Sequence, residues 1–188
     1  MAELQCRRNG EISLWQWLQI RCLYRAAFPR NERKPFGRIL SLMKEGKSDV
    51  WCYELDGLFA GFATTINAED LCLIDYLAVH KQQRGKGVGS AMLYLLKAHY
   101  SQGLFVEIES MYEPGEDQQE RIRRKHFYTA NGFVPMNVMA DVFGVKMELL
   151  AWNGRLDFER YHAFYHDQYG TWAAEHILPA DHPERGSD

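Results

Sequence analysis

Between Gln82 and Leu93 the chain reads QQRGKGVGSAML, which sets three glycines and two cations at the mouth of a stretch with helical character. Glycine is a poor residue with which to open a helix unless bare backbone amides are wanted there. The apolar run LCLIDYLAV ends just upstream at Val79, so a strand feeds a glycine-rich turn and then a helix. In that arrangement unpaired N–H groups and the positive end of the helix dipole converge on one spot, an anion site most naturally suited to phosphate. Spacing narrows the ligand. A dinucleotide turn needs G-x-G-x-x-G, and a Walker loop needs Lys followed by Ser or Thr. Gly85, Gly87 and Gly89, with Lys86 preceding Gly87, satisfy neither.

A second group of residues suits proton transfer. In LFVEIES, period-two geometry puts Glu107 and Glu109 on one strand face, about 6–7 Å apart, where they could jointly hold and deprotonate a cation. Asp75 shares the phase of Leu77 and Val79, and a carboxylate isolated in LCLIDYLAV is costly to bury without a partner, which raises its pKa. Each has a plainer alternative: either glutamate can pair with Arg121 or Arg124 on the surface, and Asp75 can cap a loop or meet a structural arginine. Cys72 falls on the face opposite Asp75 with no partner nearby in sequence, so an acyl-cysteine intermediate is not expected. His162 and His166 are four residues apart on a helical pattern, but no H-E-x-x-H and no third ligand accompany them, so no metal site is expected.

The elements that must position these groups alternate between strand and helix. LWQWLQIRCLYRAAF suits an amphipathic helix stopping at Pro29, and a second helix is expected over Phe36 to Lys44. VWCYELDGLFAGFATTI is two strands joined at Asp56-Gly57, a strong hairpin signal. LCLIDYLAV reads as a strand covered on both faces, followed by a helix from Gly87 to Tyr100. Then come the strand LFVEIES, a charged helix from Gln118 to Ala130 stopped by NGF, and short strands at Phe133 to Val138 and Val145 to Leu150. A last helix spans Leu156 to Tyr169. One domain over residues 1–178 and a polar tail over 179–188 are expected. At 188 residues and 46% hydrophobic, the chain can fill one core. A net charge of −3 and a pI near 6.2 leave no electrostatic footprint for nucleic acid. No apolar stretch approaches the ~20 residues that cross a bilayer, and MAELQCRRNGE lacks a signal-peptide core, so a soluble cytoplasmic protein with no membrane partner is expected. Four scattered cysteines, without CxxC spacing, read as reduced thiols.

The pattern that does fit the glycine turn is R-x-x-G-x-G, met by Arg84, Gly87 and Gly89. Here LIDYLAVHKQQRGKGVGSAML resembles the coenzyme A motif of the GNAT superfamily of acetyl-CoA-dependent N-acetyltransferases. RRKHFYTANGF resembles that superfamily's later helix, which typically ends F-Y-x-x-x-G-F, here Phe127, Tyr128, Gly132 and Phe133. Both motifs stand in the family's order, separated by one strand and preceded by a hairpin, and the likeness covers most of the chain. It implies an α/β fold with a twisted, mostly antiparallel mixed sheet of about six to seven strands and helices on both faces. It implies that the backbone of Leu77, Ala78 and Val79 pairs with the pantetheine arm, and that amides of Arg84, Gly85, Lys86, Gly87, Val88, Gly89 and Ser90 hold the pyrophosphate. The Arg84 and Lys86 side chains either add charge or face solvent.

The same resemblance assigns the chemistry. An amine attacks the thioester, and an alkylammonium is only about one part in a thousand neutral at pH 7, a handicap of about 4 kcal/mol if nothing removes its proton. Glu107, Glu109 and Asp75 are the candidate bases, with a bulk-water route as the alternative. The family places a tyrosine beside the coenzyme sulfur, so Tyr128 is the expected acid; by itself it reads as a packing residue. Arg121, Arg124 and Tyr128 share a helical face, so both arginines are candidate coenzyme contacts. The N–H near Val79 is a one-donor oxyanion site worth about 3 kcal/mol. The family's acceptor pocket is commonly built from the first two helices, so Trp15, Trp17, Tyr24 and Phe28 either pack the first helix on the sheet or line that pocket, while Glu32, Arg33 and Lys34 between the helices either gate or contact the acceptor or form a solvated turn. The expected reaction passes acetyl from acetyl-CoA, without metal, to the primary amine of a small cationic molecule. Alternatives are acetylation of a protein lysine or N-terminus, or a coenzyme A-binding sensor without turnover. A homodimer is a further expectation.

Overall fold

The computed structural model describes residues 4–30, 32–69, 71–115 and 117–181. The chain divides into two compact units, one running up to Asn67 and taking in Ile74–Tyr100, the other comprising Ala68–Leu73 and the chain from Ser101 onward.

The first unit holds β1 (Leu4–Arg8), α1 (Leu14–Ala27), α2 (Phe36–Lys44), β2 (Ser48–Leu55), β3 (Leu58–Ile66), most of β4 (Cys72–Val79) and α3 (Val88–His99). A capping box starts α1: the Ser13 hydroxyl accepts from the Gln16 N–H, and the Gln16 side chain accepts from the Ser13 N–H. The helix ends at Phe28, which is extended as a residue before proline should be. Asp56 and Gly57 both take positive φ, 52° and 74°, as a two-residue turn matched to strand twist requires. β1 pairs antiparallel with β2, and β2 with β3. Strand alternation then sorts the helices by face. Val50, Cys52 and Phe62 join Ile20 and Tyr24 of α1 and Ile39 of α2 in one core. Trp51, in the opposite phase, packs on His99 and Tyr100 at the end of α3, with centroids 4.9 and 6.0 Å away.

The second unit begins with the first two residues of β4. Cys72 and Leu73 pair in parallel with Leu104 and Phe105 of β5 (Leu104–Glu109). After it come α4 (Gln118–Ala130), β6 (Val134–Val142), β7 (Val145–Trp152), α5 (Phe158–Tyr169), α6 (Thr171–Ala174) and β8 (Ile177–Ala180). Phe105 meets Tyr161 and Phe164 of α5 edge-on. Gly132, at φ 76°, terminates α4.

The result is a mixed α/β fold whose eight strands lie in the order β1-β2-β3-β4-β5-β7-β6-β8 among the described residues. Eight exceeds the six to seven expected, and the unforeseen strands are β1 and β8. β1, LQCRR, shows no apolar alternation, and β8, ILPA, contains a proline that an edge strand tolerates. β6 runs to Val142, past the expected Val138, because the register shifts between Pro135 and Met139, where Asn137 takes φ 55°. Pro179 and Ala180 of the expected tail belong to β8, Asp181 follows the strand, and 182–188 lie outside the described residues. No described helix is long and apolar enough to cross a membrane.

Candidate active site

In the first unit the turn after β4 holds its amides open. Gly87 is the residue that caps α3, at φ 76°, and no side chain caps the helix start. The Ala91 N–H returns to the Gly87 carbonyl, so the preceding amides of Val88, Gly89 and Ser90 belong to the first turn, where an α-helix has no internal acceptor to offer. Gly85 is also left-handed, at φ 73°, and a Cβ at either glycine would meet no heavy atom within 4 Å. Positive φ therefore dictates glycine here, and the space in front of the backbone is open for a bulky anion. Arg84 is exposed and donates through Nε to the Val79 carbonyl at 3.2 Å; Lys86 Nζ donates to the Gln83 side chain at 3.0 Å. Lys86, Gly87 and Val88 line one side of a hollow of about 390 Å³, with Leu55 and Leu58 opposite.

Along β4, Asp75, Leu77 and Val79 are half-buried on one face, while Tyr76 and Ala78 are buried on the other. Gly61 of β3 lies so close that a Cβ there would collide with the Ala78 carbonyl oxygen. Asp75 is committed to a cation: Lys34 Nζ sits 2.7 Å from its carboxylate and 5.9 Å from the Tyr76 ring centroid. The chain before α2 is strapped down by phenols. Tyr24 donates to the Lys34 carbonyl, Tyr76 donates to the Glu32 carbonyl, and the Lys34 N–H donates to the Tyr76 oxygen. Tyr24 and Phe28 pack edge-on against Tyr76, and Trp17 against Phe36, so these aromatics build core, whereas Trp15 is 68% exposed.

In the second unit the strand glutamates take different partners. Glu107 of β5 accepts from the Tyr161 hydroxyl at 2.8 Å and from the Tyr165 hydroxyl at 2.9 and 3.2 Å, both on α5. Glu109 is ion-paired with Arg121 Nε at 2.8 Å, and Arg121 also binds Asp117 and the Ser110 carbonyl. The expected pairing of a strand glutamate with Arg121 is thus present, and it engages the guanidinium proposed for the coenzyme. Tyr128 is 8% exposed between the rings of Phe127 and Phe133. Burial pushes its phenol up to about 12, against a smaller opposing pull from the Arg124 charge, so it stays protonated at neutral pH. His166 meets Asp167 and His162 packs on Phe158. Among the described residues no group of three or more His, Cys, Asp or Glu side chains is placed to hold a metal ion.

Three participants were not singled out from sequence. Glu148 of β7 is 1% exposed and ion-paired with Lys125 Nζ of α4 at 2.9 Å, at an angle that is not a hydrogen bond's. It anchors α4 three residues before Tyr128. The signal was present, since one acid amid VKMELLAW is the same anomaly as Asp75 in its strand. Tyr161 and Tyr165 carry no such mark; phenols four apart on a helix resemble any packing pair.

Comparison with known proteins agrees with this arrangement. Residues 46–135, from the start of β2 to the opening of β6, match the family described as "Acetyltransferase (GNAT) domain". A protein of Bacillus subtilis (strain 168) named "Putative acetyltransferase YjbC" is 30% identical over 142 residues, 70% of this chain and 69% of that one. A solved structure titled "Putative acetyltransferase from GNAT family" from Bacteroides thetaiotaomicron superposes with a TM-score of 0.73 at 19% identity, covering 89% of this chain and 99% of that one. An aminoglycoside 6'-N-acetyltransferase complexed with coenzyme A superposes at 0.63 and 12% identity, covering 81% and 99%. At such identities the two structures speak to the fold, while the curated relative carries kinship in sequence. With its strand order, its uncapped glycine-led helix and a relative at that identity, the chain belongs to the GNAT family of acetyltransferases.

Proposed function

We propose that this acetyltransferase, acting as one catalytic domain over residues 1–178, takes acetyl-CoA as its donor and acetylates the primary amine of a small cationic molecule. The observation that supports it most is the first turn of α3. Open amides from Arg84 to Ser90, two left-handed glycines and empty space before them fit a diphosphate, the anion that coenzyme A carries. Acetyl-CoA supplies the acyl thioester. The β4 backbone at Leu77, Ala78 and Val79 is assigned to the pantetheine arm, with the N–H near Val79 as the oxyanion donor, and Arg124 as a coenzyme contact. Arg121 serves first to order Glu109.

Among the carboxylates, Asp75 and Glu109 each hold a cation within 2.8 Å, so an incoming ammonium would have to displace Lys34 or Arg121 to reach them. We assign the handling of the amine proton to Glu107, which the hydroxyls of Tyr161 and Tyr165 orient. Tyr128 holds its proton through the physiological range and takes the acid's part. A cationic acceptor is favoured by the acidic side chains of β5; one of the solved relatives is an aminoglycoside acetyltransferase.

The test is to incubate the protein with acetyl-CoA and a panel of polyamines, aminoglycosides and lysine- or N-terminus-bearing peptides while following free thiol. Thiol release with a small polycation supports the reading, release with peptides alone moves the acceptor class to protein, and acetyl-CoA binding without any release points to a sensor.

A further inference from the structure

α1 breaks the usual rule for a helix on a domain surface. Its buried face, Ile20, Leu23 and Tyr24, fills the core of the first unit, but its outward stripe is also apolar. Trp15 is 68% and Leu18 53% exposed, and Cys22 continues the line one turn on. The stripe forms one wall of a groove of about 680 Å³ whose other wall is Phe59 of β3 with His80, Lys81 and Arg84. That volume is in the range of small-molecule sites, as is the make-up of apolar walls with a few convergent polar groups. Two of the lining groups, Lys81 and Arg84, carry cationic side chains, and no carboxylate among the described residues lines the groove. Arg84 is oriented by its bond to the Val79 carbonyl, and His80 packs against Phe59 at 6.2 Å between centroids.

We propose that this groove binds a small organic anion with a flat aromatic body, the ring lying against Trp15 and Phe59 and the carboxylate or sulfonate directed to Lys81 and Arg84. Aromatic faces prefer a planar apolar partner, and a cation pair in a lining that holds no carboxylate among the described residues selects a negative head. The same charges disfavour a cationic amine, so the groove is distinct in specificity from the acceptor site proposed above, and the inference does not rest on that reading.

Cys22 lines the groove and Cys6 does not, so the two exposed thiols report differently. The experiment measures iodoacetamide alkylation of each by mass spectrometry, with 2-naphthoate, neutral 2-naphthalenemethanol or cationic 2-naphthylmethylamine as the probe. The expected result is that naphthoate slows alkylation of Cys22 and leaves Cys6 unchanged, that the other two probes protect Cys22 roughly tenfold less well, and that Lys81→Glu or Trp15→Ala removes the protection while circular dichroism stays that of the parent. Equal protection by all three probes, or none at millimolar naphthoate, overturns the proposal. So does protection of Cys22 by acetyl-CoA alone, which would make the groove part of the coenzyme's site. Acetyl-CoA binding, measured by calorimetry on the same samples, reports separately on the family's donor: its loss would strike the proposed function and leave the groove's result standing.

Discussion

At the scale of single residues, burial and hydrogen bonding decide which of the polar side chains are available for proton transfer. Tyr128 is buried and keeps its proton, so Tyr128→Phe is expected to lower kcat for thiol release by about 10²-fold while leaving the calorimetric Kd for acetyl-CoA within twofold or so. Equal losses in both would mean that the ring only packs. The same group has a thermodynamic signature. Its folded pKa, about 12, lies above its ordinary value near 10, so its contribution to stability is intact below pH ~10 and drains away as pH rises toward 12. Tyr128→Phe should flatten that alkaline limb in a thermal-melt series. Glu107→Gln keeps the shape that Tyr161 and Tyr165 grip but removes the charge. A base's role predicts a fall in kcat that is partly recovered as pH rises and the free amine fraction grows; a packing role predicts an unchanged pH profile.

At the scale of elements, two glycines define how β4 hands over to α3, for different reasons. Gly87 needs its left-handed φ, so Gly87→Val should cost about 1–2 kcal/mol of backbone strain and weaken acetyl-CoA binding as the first-turn amides are displaced. Gly61 needs absence of bulk, since even one carbon would strike the Ala78 carbonyl. Gly61→Ala should therefore lower Tm and disturb binding through β4, a site the turn motif would never name. Most elements were legible in sequence because periodicity reports on a buried face: α2 and α4 begin and end where their patterns do, and the Asp56-Gly57 turn is where its residue types demand. β1 and β8 were not, because an edge strand is held by backbone bonds to one neighbour and needs no apolar alternation.

At the scale of the molecule, a buried and well-satisfied charge holds distant segments of the first unit together. In the first unit Asp49 is 8% exposed and accepts from Tyr100 at 2.7 Å, from Asn67 at 3.0 Å and from Asn9, with Arg8 3.6 Å away. Burial alone would raise its pKa, but these donors and the Arg8 charge outweigh it and hold the carboxyl below its usual range. That contribution is present above the ordinary carboxylate pKa near 4 and is lost as pH falls through the depressed folded value. Asp49→Ala should destabilise by about 3 kcal/mol, because three donors lose their acceptor and Arg8 its counter-ion at once, and should blunt acid unfolding; chemical denaturation at pH 7 and pH 3 checks both. Sequence alone determined the order of β2 to β7 and α1 to α5, the phosphate-suited turn and the first set of acids to suspect, because these depend on local spacing and on residue type. It could not say that Asp75 would meet Lys34, Glu109 would meet Arg121 or Glu107 would meet two tyrosines of α5. A side chain's reach depends on what arrives from 41, 12 or 54 residues away, and only the tertiary packing brings those partners to it.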